Sequence, residues 1–217
     1  MKKIFKEQKG FIIIFVIWVG IAALLLMIEN KVFWQTLANE NHSMFLDYFF
    51  RYITWLGDGT LIVILSVLMV FIRFRLAIVS LMSYLVSGLF AQLLKRFVFD
   101  DVYRPAHIFK DMDVDLLKVL DVGLKTKHSF PSGHTTSAFA LFFTLSLLLL
   151  PKRYGLQLLA FLLAFLVGYS RIYLNLHFAN DVLAGSILGI LTTLFFYYWV
   201  QHWRASWLDR SVLNLKR

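Results

Sequence analysis

Three short stretches of the chain hold side chains able to do chemistry together: Lys95 with Arg104-Pro105, Pro131-Ser132-Gly133-His134, and Ser170-Arg171 followed by His177 and Asp181. Between them they supply three cations, two histidines and a carboxylate, the parts that phosphoryl transfer to a histidine nucleophile requires. His177 and Asp181 are four residues apart, so one helical turn brings the carboxylate beside the imidazole. A carboxylate bonded to one ring nitrogen fixes the tautomer, presents the lone pair of the other nitrogen and stabilises the cation formed on attack. Taken alone, this pair reads as a core or helix-capping contact. Arg171, six residues earlier at the end of an apolar run, argues for a polar cavity, because charge near membrane depth is costly.

The remaining groups fit an anion. Pro131-Ser132-Gly133-His134 opens an apolar run, and a helix N-terminus offers free backbone donors and a favourable dipole. Gly133 lets a phosphate approach the backbone, and His134 stands ready to protonate a leaving oxygen. The bland reading of Ser132-Gly133 is a helix cap. Arg104 can grip a phosphoryl group with two parallel bonds, whereas Lys95 acts as a point charge. For Lys95 and Arg96 the alternative is that both snorkel at the membrane interface.

These groups need elements to carry them. Of the 217 residues, 59% are apolar, 17% aromatic and 16% charged, and mean hydropathy is +0.71. A soluble domain with that little polar surface would not stay dissolved. Six apolar runs occur, at about 11–28, 53–72, 76–94, 134–150, 155–173 and 181–200, each near the length that crosses the hydrocarbon core. The expected fold is all-α: one polytopic bundle of six transmembrane helices in a single domain over 1–217, with a catalytic core at about 50–200. The first run follows a basic stretch but lacks a small-x-small cleavage site, so it is expected to stay as an anchor. The absence of cysteine excludes disulfides, thiolate catalysis and cysteine-based metal sites.

Basic residues set the orientation. The N-terminus, Arg73, Arg75, Lys152, Arg153 and a tail with Arg204, Arg210, Lys216 and Arg217 place twelve basic and two acidic residues on one face, leaving ten basic and eleven acidic elsewhere. The positive-inside rule then puts both termini in the cytoplasm and all three motif clusters on the extracytoplasmic face. The net charge of +9 therefore reflects topology and lipid head groups rather than nucleic-acid binding, which wants a solvated basic domain. Residues 29–52 mix aromatic and polar side chains, as either an interfacial amphipathic piece that admits a lipid or a plain loop with aromatic anchors. Asp111, Asp113 and Asp115 lack the glycine and terminal glutamate of a calcium loop and read as a solvated acidic stretch. Gly185 and Gly189 form a small-residue face that either packs the bundle or joins copies of the chain; oligomeric state is left open.

On these motifs the chain resembles the type 2 phosphatidic acid phosphatase superfamily, the membrane lipid phosphatases related to vanadium haloperoxidases. The resemblance spans about residues 50–200, with three motifs in family order. The second and third match in full: Pro131-Ser132-Gly133-His134, then Ser170-Arg171, five residues, His177, three residues, Asp181. The first departs: eight residues separate Lys95 from Arg104 where six are usual, and Phe97 stands at the usual position. Either an insertion bulges outward or Arg96 shares the role. Asn175 stands where glycine is common, and asparagine tolerates a left-handed backbone.

The resemblance implies that His177 is the phosphorylated nucleophile, Asp181 its orienting partner and His134 the general acid. Lys95, Arg104, Ser132, Gly133 and Arg171 would hold the phosphate, with no metal and no cofactor. The implied substrate is a lipid phosphomonoester or diphosphate at the outer leaflet, with undecaprenyl diphosphate, phosphatidylglycerophosphate and phosphatidate ahead of lipid A. A haloperoxidase using bound vanadate and a non-enzymatic lipid transporter or scaffold are the competing classes. Six spans disfavour the former, and a His-Asp pair facing a second histidine disfavours the latter.

Overall fold

The computed structural model describes residues 2–119 and 121–214; Lys216 and Arg217 of the basic tail lie outside the described residues. Ten α-helices and no strand occur among these residues. They are α1 (Lys2–Glu7), α2 (Lys9–Ile28), α3 (Lys31–Glu40), α4 (Met44–Ile53), α5 (Gly59–Leu68), α6 (Phe74–Leu93), α7 (Pro105–Asp111), α8 (Gly133–Leu149), α9 (Tyr154–Tyr173) and α10 (Ala179–Gln201).

Four helices are long and apolar enough to cross a membrane: α2, α6 with its continuation to Val98, α9 and α10. The expected run 53–72 is not one straight rod. It belongs to a helix pair, Met44–Gly57 and Gly59–Phe71, bent by 53° at Asp58. The cause is local: the Asp58 carboxylate accepts the Thr60 N–H and starts a new helix, capping donors that a continuous helix would have bonded internally. The second half of the 29–52 segment is therefore the first arm of this bent pair, and only α3 remains as a separate helix. The segment is helical and capped, at Asn30 for α3 and Ser43 for α4, so it is not a plain loop.

Helix α8 lies at the centre, with twelve of its seventeen residues buried. At about 1.5 Å per residue it spans roughly 25 Å, less than the hydrocarbon core. Small side chains let its neighbours approach. A Cβ at Gly185 of α10 would come 2.6 Å from the Ser132 carbonyl oxygen, and one at Gly189 would come 2.4 Å from that of Thr136. The small-residue face thus packs against α8 within the chain, where backbone proximity supplies the dispersion contacts that a lipid solvent cannot drive. Helix α2 is peripheral, with Phe11 its only buried residue. At the opposite end of the bundle from the motif clusters, buried Arg75 pairs with Asp209 through two bonds of 3.0 and 2.9 Å and donates to the Val200 carbonyl at 2.6 Å, tying the tail to α6 and α10.

Candidate active site

The three motifs meet where the ends of α6, α9 and α10 surround the N-terminus of α8. Each is presented by a specific backbone device. After α9, the Arg171 carbonyl accepts the N–H groups of both Leu176 and His177 at 3.0 Å, which folds residues 174–177 back over the helix end. The reversal requires a left-handed residue, and Asn175 supplies it at φ 55°. His177 is returned beside α10, where its Nδ1 lies 3.3 Å from Asp181 Oδ2. The same carboxylate oxygen accepts the Phe178 N–H at 3.0 Å and the Ser129 hydroxyl at 2.5 Å. Asp181 therefore caps α10 and orients His177 at once.

Arg104 is placed by carbonyls rather than by an anion. Its guanidinium donates to the backbone oxygens of Lys127 at 2.9 Å, Leu176 at 2.8 Å and His128 at 3.3 Å. Arg171 donates to the Thr54 hydroxyl at 2.7 Å, while its buried Nε has no partner among the described residues. Lys95 is only 6% exposed, whereas Arg96 is exposed. That settles which of the two turns inward. The chain from Leu94 to Val98 forms a π turn, closed by the Phe99 N–H on the Leu94 carbonyl at 2.8 Å. A π turn accommodates an extra residue in a helix. One of the two additional residues before Arg104 is thus absorbed by a local bulge, with Arg96 and Phe97 exposed and Lys95 buried.

The N-terminus of α8 is open in part. Ser132 is fully buried and its N–H donates to the Asp181 carbonyl at 2.9 Å, so that amide is committed to the protein. The Ser132 hydroxyl, which accepts from Thr135 at 2.9 Å, keeps its own proton to donate. The amides of Gly133 and His134 begin the helix and have no intrahelical carbonyl to reach. A Cβ at Gly133 would meet no atom within 4 Å, so the space beside it is open to a ligand. His134 is backed by Gly57 of the bent pair, where a Cβ would come 2.7 Å from the His134 carbonyl oxygen.

Electrostatics unify the cluster. Lys95, Arg104 and Arg171 are each at most 7% exposed, and none takes part in an ion pair among the described residues. Burying three like charges around a single carboxylate, Asp181, is expensive. An anion with several oxygens is the ligand that offsets that cost. Burial, then the fields of Arg104, Lys95, Arg171 and His134, hold His177 well below the usual histidine range. The imidazole is therefore neutral at physiological pH, the form that carries a nucleophilic lone pair. Burial likewise lowers Arg104 from its ordinary value, with Asp181 opposing.

Residues outside the motifs complete the site. Ser129 and Thr54 touch the carboxylate and a guanidinium, and Asp58 lies within electrostatic range of His134. Isolated hydroxyls in an apolar chain carry no spacing signal that would have found them. Lys127 and His128 border the site through their carbonyls, which accept from Arg104. Asp111, Asp113 and Asp115 are exposed, as a solvated stretch would be. No cluster of three metal-ligating side chains occurs among the described residues.

The model of the PAP2 superfamily matches residues 76–205. A lipid A 4'-phosphatase of Porphyromonas gingivalis is 30% identical over 199 residues, covering 86% of this chain and 79% of that protein. The crystal structure of LpxE from Aquifex aeolicus superposes with a TM-score of 0.65 at 27% identity, over 76% of this chain and 92% of that one. A PAP2-type phosphatidylglycerolphosphate phosphatase from Bacillus subtilis shares the fold, with a TM-score of 0.65 at 22% identity over 92% and 98% of the two chains. With the family model covering more than half its length, the chain belongs to the PAP2 superfamily and stands among its multi-pass membrane lipid phosphatases.

Proposed function

We propose that this protein hydrolyses a lipid phosphomonoester or diphosphate through a phosphohistidine at His177. The observation that carries the reading is the set of three buried, unpaired cations around a neutral imidazole. Asp181 accepts the Nδ1 proton of His177, leaving the Nε2 lone pair to attack phosphorus in line. The P–O bond to the leaving group breaks as the N–P bond forms, and His134, held protonated by the negative charge of the bound phosphate, gives that proton to the departing oxygen. Lys95, Arg104, Arg171, the Ser132 hydroxyl and the Gly133 amide face the three equatorial oxygens, whose charge they stabilise. Water, deprotonated by His134, then displaces His177 and releases phosphate. All the positive charge comes from side chains, so the reaction needs no metal.

The distribution of basic residues supports six spans with cytoplasmic termini and a site on the outer face. The lipid A 4'-phosphatase relative makes lipid A the first substrate to assay, with phosphatidylglycerophosphate, phosphatidate and undecaprenyl diphosphate beside it. The test is to mix purified protein with radiolabelled lipid phosphate and quench into alkali. Label should stay on the wild-type polypeptide, leave it on acidification, and be absent from His177→Gln. Phosphate release by His177→Gln at the wild-type rate would overturn the nucleophile.

A further inference from the structure

A fourth cation stands at the rim of the site, outside every motif. Lys31 opens α3, and its Nζ lies over the Phe178 ring, 4.7 Å from the centroid. Phe178 follows the nucleophile and precedes α10, so the ammonium is carried to the same corner as His177. Lys31 lies within electrostatic range of the Asp181 carboxylate. Unlike the three inner cations, Lys31 is only half-buried, and therefore faces both the site and its surroundings.

Its position is fixed by a side-chain network on the same helix. Gln35 donates to the Ile172 carbonyl at 2.8 Å and to Asn175 Oδ1 at 2.6 Å, and Asn175 Nδ2 donates to Asn39 Oδ1 at 2.9 Å and to the Leu117 carbonyl at 3.0 Å. Asn39 in turn accepts the Leu117 N–H at 2.9 Å. Helix α3 is thus fastened to the left-handed residue that turns His177 into place. Trp34 and Ala38, three and seven residues beyond Lys31 on one helical face, line an apolar groove of about 430 Å³ shared with Leu25, Tyr169 and Val182. One helix therefore offers an apolar wall for a chain and a cation at the edge of a phosphate site.

We infer that Lys31 is a specificity-determining residue, engaging a second anionic group of the lipid headgroup next to the phosphate under attack, as in a lipid diphosphate. This rests on the phosphatase reading above and names the headgroup that the site prefers. The inner cations would meet the scissile phosphate, whose charge they balance. A second phosphate one bridging oxygen away extends toward the rim, where a partly solvated ammonium suits a group that must also leave. Lys31 acts on binding rather than on the bond that breaks, so its effect falls on KM.

The test compares farnesyl diphosphate with farnesyl phosphate, identical in chain and different by one phosphate, using the full-length protein in detergent micelles. Lys31→Gln should raise KM for the diphosphate about fivefold, the worth of one partly screened charge contact. Its kcat should hold, as should both constants for the monophosphate within about twofold, the scatter of a surface change. Lys31→Arg should retain the wild-type preference. Equal losses on both lipids, or an unchanged ratio of kcat/KM, would overturn the inference while leaving the phosphatase reading intact. Release from neither lipid by the wild type would overturn both. If Lys31→Gln does not fold, Lys31→Met keeps the apolar stem over Phe178 and carries the same comparison.

Discussion

Replacing Asp181 by Asn isolates the charge of the carboxylate from its shape. The amide oxygen can still accept from Phe178 N–H, the Ser129 hydroxyl and His177 Nδ1, so the imidazole keeps its tautomer. What disappears is a unit negative charge 3.3 Å from the ring nitrogen. At that separation and an effective dielectric near 20, a full charge on the imidazole is stabilised by about 5 kcal/mol. If the ring carries about half a charge in the transition state, the loss lies between about 2.5 and 5 kcal/mol, or about 70- to 5,000-fold in kcat. KM should stay within about threefold, because the carboxylate touches the histidine and not the phosphate. The other carboxylate oxygen has no partner among the described residues, so the new NH₂ group would be buried unpaired at a stability cost of about 1–3 kcal/mol. Phosphate release from lipid substrate should therefore be normalised to folded, monodisperse protein. An Asp181→Asn enzyme that keeps more than about a tenth of the wild-type kcat, or whose defect is in KM alone, would refute the orienting and charge-stabilising role.

Three other outcomes are expected. Asn175→Gly relieves about 1 kcal/mol of left-handed strain but removes three side-chain bonds worth about 1 kcal/mol each, for a net loss near 2 kcal/mol read as a lower Tm; a Tm at or above wild type would show that the α3 network contributes nothing. Because His177 stays neutral in the folded chain and titrates near 6.5 when unfolded, the unfolded state binds the extra proton, and stability should fall below about pH 6.5 by up to about 1.4 kcal/mol per unit. Thermal unfolding between about pH 8 and 5 should show a shallower slope in His177→Gln, and equal slopes would contradict the depressed titration. Finally, EDTA should leave activity intact and vanadate, a mimic of five-coordinate phosphorus, should block it; inactivation by EDTA that magnesium reverses would contradict a site whose positive charge comes from side chains such as Lys95, Arg104 and Arg171.

The sequence determined the chemistry and the class of fold because both are written locally. Apolar runs long enough to cross a bilayer announce helices, since no other open structure satisfies its backbone there. The four-residue step from His177 to Asp181 is one turn of helix wherever it occurs. What the sequence left open depended on backbone geometry that has no one-letter signature. The π turn at Leu94–Val98 decided that Lys95 enters and Arg96 does not, and the break at Asp58 bent an apolar run that hydropathy alone reads as straight. Tertiary structure also decided the use of Gly185 and Gly189, by setting α10 against the backbone of α8. Ser129, Thr54 and Lys31 joined the site only through packing of segments far apart in the chain, because a contact across 52 residues, such as Ser129 to Asp181, is fixed by how helices cross and not by any spacing along one of them.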